Sequence, residues 1–261
     1  MKLNIVPAKT GLAWVGLGIR TFFRQPLAMS GLFFLFLGAA SLLSLVPMLG
    51  SFLVLPLIPA ATLGLMAATR QASEGRFPMP SVLASAFSAG RERLKAMLTL
   101  GVLYTFSMLL VTGLTALIDG GDFAGVYLHG NPMTKEMLDR PEFQQAVLVG
   151  MVFNLPLTVL FWPAPALVHW HGIAPAKSLF FSALACWKNK WALLMFMAGW
   201  LGVFIAGGVT LGLVGALMGN EDLSRTLMAL SMLLMIAMFL TSTYFIFRDS
   251  FVTDAEPTPQ P

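Results

Sequence analysis

WALLMFMAGWLGVFIAGGVTLGLVGALM, residues 191–218, decides the fold. It runs for 28 residues without an ionisable side chain. A helix needs about 20 predominantly apolar residues to cross the hydrocarbon core of a bilayer. Five more runs read the same way, at about 27–46, 51–69, 96–118, 146–168 and 226–247. None of the six carries Asp, Glu, Lys, Arg or His in its interior. The expectation is an all-α polytopic membrane protein with six transmembrane helices. Residues 1–250 form a single six-span domain, and 251–261 form a disordered cytoplasmic tail.

Composition agrees. Of 261 residues, 57% are hydrophobic and 11% charged, with a mean hydropathy of +0.80. Soluble domains carry about 25% charged residues. A soluble enzyme, a disordered chain and a disulfide-stapled secreted domain are therefore excluded. The lone Cys186 cannot form an internal disulfide, and no Cys/His metal framework exists. The polar start, ending in Pro7-Ala8-Lys9, is not expected to be cleaved.

Orientation follows from Lys and Arg in alternate connections. Thirteen of the sixteen lie in the N-terminus, segments 70–95 and 169–190, and the C-terminal tail. Lys135, Arg140 and Arg225 are the other three. Both termini are thus expected in the cytoplasm and the acidic 119–144 connection outside. The net charge of +4 is read as attraction to anionic lipid headgroups or plain topological anchoring, not as nucleic-acid binding.

Three stretches that precede odd-numbered spans have the pattern of amphipathic helices lying on the cytoplasmic interface. The first has an apolar stripe of Leu12, Val15, Ile19, Phe22 and Phe23; the second, of Val82, Leu83, Ala86, Phe87 and Leu94; the third, of Phe180, Leu184, Trp187 and Trp191. The last two match each other at a spacing of 97. Gly75 meets Gly172, Pro78 meets Pro175, Ser81 meets Ser178 and Ser85 meets Ser182. Arg91 meets Lys188, Arg93 meets Lys190, and in the preceding spans Pro59 meets Pro156. The matched residues are turn and charge positions rather than abundant leucines, which points to a parallel internal repeat.

Candidate sites follow from these features. Arg91, Arg93, Lys95, Lys188 and Lys190 close the repeated interfacial helices. They are candidates for lipid headgroup contact, each adding about 1 kcal/mol of attraction to an anionic leaflet. Pro59 and Pro156 interrupt corresponding spans, with Asn154 beside the second. Freed carbonyls there are a candidate helix-break site for a small solute, against the plainer reading of packing kinks. The absence of Asp, Glu and His from the spans disfavours ion-coupled transport. His169 and His171 at the end of span 4 read as interfacial anchors, since a helix puts the two rings on different faces and no third ligand is near. Span 5 carries Gly208/Gly212 and Gly215/Gly219 at small-xxx-small spacing, which suits close approach by another span or self-association with a second subunit. No nucleophile elbow, zinc-protease helix or phosphate-binding loop occurs, so no catalytic residue and no cofactor is expected.

Certain stretches are distinctive as strings. They include the opening Met1–Ala8 segment, RTFFRQPL at 20–27, PAATLGLM at 59–66, FPMP at 77–80, PALVHWHG at 165–172 and the closing Phe247-Arg248-Asp249. Together they resemble an uncharacterised six-span inner-membrane protein family of Burkholderia-like β-proteobacteria. The resemblance implies a bacterial inner membrane with both termini inside. More remotely, the Gly/Pro turn followed by a basic interfacial helix is similar to the membrane domains of some glycerophosphodiester phosphodiesterases. Neither likeness supplies a functional residue. The reading is a non-enzymatic membrane-embedded binding or scaffold protein that engages anionic lipid or a partner protein. The alternative is a transporter or channel for a small neutral or amphiphilic solute.

Overall fold

The computed structural model describes residues 2–46, 49–218 and 221–252. Gly219 and most of the expected 251–261 tail lie outside the described residues. Of the described residues, 85% are helical. Among the described residues, six helical stretches are long and apolar enough to cross a membrane: Pro26–Ser44, Phe52–Ser73, Arg91–Asp119, Pro141–His171, Lys190–Gly215 and Asp222–Ser250. The chain is therefore an all-α polytopic membrane protein. Its contacts fall into two compact units.

The first unit comprises the described residues of Met1–Phe36, Thr62–Ser85 and Leu184–Pro261. Helix α1, Thr10–Arg24, packs against the helices that span Lys190–Met218 and Glu221–Ser250. Its buried face is Gly11, Trp14, Val15, Gly18, Thr21 and Phe22, at i, i+3, i+4 and i+7 spacing. This face is rotated from the expected stripe, since Leu12 and Phe23 are exposed. The cause is the pair of glycines. A Cβ on Gly11 would strike the carbonyl of Ala192, and one on Gly18 would strike Ser242. Glycine lets the backbones touch, so the face with glycines goes inward. Trp14 sits fully buried against the edge of Phe196, 6.3 Å between ring centres. Phe196 and Trp200 in turn pack on Phe239, 5.5 and 5.6 Å away. Pairs at such distances contribute beyond their buried area.

The chain ends of this unit are tied together. Strand β1, Lys2–Leu3, pairs antiparallel with β2, Phe251–Val252. The Asn189 side chain accepts from the Val6 backbone N–H at 2.9 Å. It donates to the Asn4 carbonyl at 3.0 Å and the Ser250 hydroxyl at 3.3 Å. Asn189 is only 2% exposed, so each of these bonds replaces water that the site excludes.

The second unit comprises Leu37–Ala61 and Ala86–Ala183, as far as described. The helices Arg91–Asp119 and Pro141–Phe161 pack on each other, and Phe123 of the short helix Asp122–His129 lies on Gly150. The 119–144 connection is ordered. Gly120 and Gly121 turn the chain with φ of 75° and 103°, a region open to glycine. The Asp119 carboxylate then accepts from the Gly121 N–H at 2.9 Å and the Phe123 N–H at 2.6 Å. It thereby satisfies orphan donors at the start of the short helix. A salt bridge from Arg140 to Asp122 fastens the return.

The two copies of the 97-residue pattern share geometry. Gly75 and Gly172 both have positive φ, 79° and 65°. In each copy the segment after the turn folds back on the preceding span. In the first, a Cβ on Gly64 would meet the Leu83 backbone. In the second, the Ser182 hydroxyl donates to the Val159 carbonyl at 3.4 Å. The copies differ beyond that. The second is one continuous helix, Pro175–Lys188. The first is a 3-10 turn, Pro80–Ala84, with a single helical turn, Ser85–Ser88. It stops at Gly90, φ 94°, where the second copy has Trp187.

Candidate lipid-facing site

The basic residues do not all stand where the sequence pattern put them. Arg91, Arg93 and Lys95 belong to the first turns of the Arg91–Asp119 helix, not to the end of an interfacial one. Gly90 caused the shift, because its backbone, φ 94° and ψ 163°, is open to glycine and breaks the chain between the earlier helix and the next. Arg91 is exposed, and Lys95 reaches the exposed Glu92 at 3.9 Å. Arg93 is partly buried. Its guanidinium lies against the Gly172 turn, with Nη2 3.5 Å from where a Cβ on Gly172 would stand. Its charge bears on both His169 and His171.

Lys188 ends one helix and Lys190 begins the next. The Lys190 ammonium sits over the Trp187 ring at 4.8 Å and the Trp191 ring at 5.8 Å. Both tryptophans are exposed, at 70% and 64%. The third stretch thus turns its large aromatics outward. It buries Ser178, Ser182, Ala185 and Asn189 instead. Small side chains allow close packing on the protein side, while indole rings suit the level of lipid headgroups. The Cys186 thiol on this helix is pushed up to about 12 by burial, so it is not a reactive thiolate.

The proline positions separate. Pro59 is buried in the first turn of Ile58–Ser73, where a helix needs no N–H. The irregularity of that span is the 3-10 turn Leu55–Leu57 around Pro56. Gly101 packs on the Pro56 carbonyl. Pro156 is exposed and lies inside the helix Pro141–Phe161, which continues through it. That span breaks at Trp162–Pro163, before a new helix, Ala164–His171. Pro59 and Pro156 are therefore not equivalent breaks. The Asn154 amide donates back to the Gly150 carbonyl at 2.9 Å, and its Oδ1 is buried without a partner.

In span 5, the glycines that touch neighbours are Gly199, Gly207, Gly212 and Gly215, against Leu12 and Val15, Met235, Met228 and Ser224. Nothing stands near Gly208. Among the described residues no group of three His, Cys, Asp or Glu side chains is placed to hold a metal.

Sequence reasoning missed Trp14, Asp119, Asn189 and Asp249 as fastening residues. A signal existed for the two acids and Asn189, which are polar residues at the very ends of spans in a chain with few of them.

Six apolar helices, aromatic–cation groups at their ends and no converging ionisable cluster among the described residues define a multi-pass membrane protein. The chain is 36% identical over 265 residues to a probable inner membrane protein of Burkholderia thailandensis, covering 100% of this chain and 97% of the relative. It belongs to that protein's family, and it is a multi-pass inner-membrane protein. The relative's name gives no enzymatic role. No protein-family model and no solved structure matches the chain. The more distant likeness to phosphodiesterase membrane domains gains no support from these matches.

Proposed function

We propose that the protein is a non-enzymatic, membrane-embedded binding protein that engages anionic lipid headgroups at its cytoplasmic face, with both termini on that side. The observation that carries this reading is Lys190 held over the outward-facing Trp187 and Trp191 rings. A cation held at an indole face has less freedom to lose when an anion arrives. The thirteen-to-three distribution of basic residues supports the same side. A scaffold role toward a partner protein would use the same basic surface. The test is native mass spectrometry of the full chain in nanodiscs of zwitterionic lipid doped with phosphatidylglycerol. Charge reversal at Arg91, Arg93, Lys188 and Lys190 should strip the retained anionic lipid while the protein stays folded. Unchanged retention by folded variants would defeat the reading.

One observation favours a second reading, passage of a small neutral or amphiphilic solute. The Asn154 Oδ1 is buried and unpartnered within a span that also contains Pro156. Such an acceptor suits a hydroxyl or amide donor. Flux into proteoliposomes across a panel of neutral solutes should then fall in Asn154→Leu. Flux equal to that of empty vesicles counts against it.

A further inference from the structure

Arg93 differs from the other basic residues. Arg91 and Lys95 are exposed, whereas Arg93 is partly buried against the Gly172 turn. Among the described residues it makes no hydrogen bond and no ion pair. A guanidinium carries five N–H donors, and those of Arg93 are not among the buried unpartnered atoms, so they stay open to a partner from outside the chain. The imidazole of His169, on which the Arg93 charge bears, has its Nδ1 buried and also without a hydrogen-bond partner. An open guanidinium and a buried, unpartnered imidazole nitrogen thus lie at the end of one helix, the first on its Gly172 cap and the second in its last turn.

The chain's own repeat shows what normally fills such a place. Glu74 stands one residue before the Gly75 turn and is paired with Arg70 at 3.2 Å and with Arg76. The corresponding residue before Gly172 is His171. In the first copy the anion is built in; in the second it is replaced by a potential cation. No Asp or Glu occurs from Phe143 to Asn220. The nearest acid along the chain, Glu92, is 91% exposed and faces Lys95. The dipole at the end of the Ala164–His171 helix favours a nearby cation. Yet the Gly172 and Ile173 N–H groups already satisfy the Val168 and Leu167 carbonyls, at 3.1 and 3.3 Å. The dipole accounts for the charge of Arg93 and leaves its open donors to a partner from outside the chain.

We infer that Arg93, His169 and the Gly172 turn form a receiving site for one phosphate-bearing anion, first of all the headgroup of an acidic phospholipid. A phosphate offers several acceptor oxygens and suits the planar guanidinium fork. Imidazole donates to it in the Nδ1–H tautomer. The site rests on the headgroup reading above and narrows it from a charged surface to one place.

The experiment uses the full chain in phosphatidylcholine nanodiscs doped with phosphatidylglycerol and reads retained anionic lipid by native mass spectrometry. Arg93→Gln should lower retention about tenfold, the loss expected for one charge-assisted contact. Arg91→Gln removes the same charge two residues away and should change it by about twofold or less, as a screened surface charge does. His169→Leu should lower retention in parallel with Arg93→Gln, and it serves alone where Arg93→Gln does not fold. Displacement of the lipid by millimolar inorganic phosphate supports the site and assigns it to a soluble anion as well. Equal, small losses in Arg91→Gln and Arg93→Gln overturn the site while the wider headgroup reading stands. No loss in any variant, including the fourfold charge reversal, overturns both.

Discussion

The indole N–H of Trp14 donates to the Asp249 carboxylate at 2.9 Å, joining α1 to the last helix across 235 residues of sequence. The other carboxylate oxygen accepts from Arg248 at 2.7 Å. Trp14 is fully buried, so its N–H has no water to turn to once Asp249 is gone. Asp249→Leu should therefore lower the stability of the detergent-solubilised protein by about 1–3 kcal/mol. Asp249→Asn, which keeps an acceptor, should retain most of it. Thermal unfolding followed by tryptophan fluorescence decides the matter, and equal melting of the two variants would show that the bond contributes nothing.

Gly16 and Gly18 lie two residues apart on α1 and have opposite surroundings. Nothing stands within 4 Å of a Cβ on Gly16, whereas one on Gly18 would overlap Ser242. Gly16→Ala should stabilise the helix by about 0.5–1 kcal/mol through the lost freedom of the unfolded chain. Gly18→Ala should destabilise the protein by about 1–3 kcal/mol, because α1 must back away from the last helix. The pair of melting temperatures, on either side of wild type, is the check.

The spans were legible because lipid demands length and apolarity, which 191–218 displays without interruption. The packed face of α1 was not. Apolar spacing favoured Leu12, Ile19 and Phe23, but in lipid an apolar side chain is equally at home outside. Glycine position, not hydrophobicity, selected the inner face. The same reasoning explains the third stretch, where serines and Ala185 face in and Trp187 faces out. The charge count named five basic candidates, yet it could not distinguish Arg93 from Arg91. That difference depends on Gly172, 79 residues away in the chain, folding its turn against one guanidinium and not the other.

Asp119 should matter to the outer connection and little elsewhere. Its two carboxylate oxygens cap the Asp122–His129 helix. Asp119→Ala should weaken that helix by about 0.5–2 kcal/mol, the usual range for a lost cap. Hydrogen exchange of amides 121–129 should quicken while amides of α1 keep wild-type protection. Faster exchange throughout the chain would contradict a local role.

Glu74 gives the protein a pH dependence of known sign. Burial works to raise its pKa, but hydrogen bonds and charge from Arg76 and Arg70 together outweigh that and hold the carboxyl below its usual range. The unfolded chain then binds a proton more readily than the folded one. Stability supplied by this group is complete above the ordinary carboxylate pKa and is lost as pH falls through the lowered folded value. Wild type should therefore lose melting temperature on acidification from neutrality more steeply than Glu74→Gln, which has no proton to take up at that position. The difference should shrink at high salt, since the trio is more than a third exposed. Parallel pH profiles for the two proteins would show that the arginine pair does not hold the carboxylate ionised.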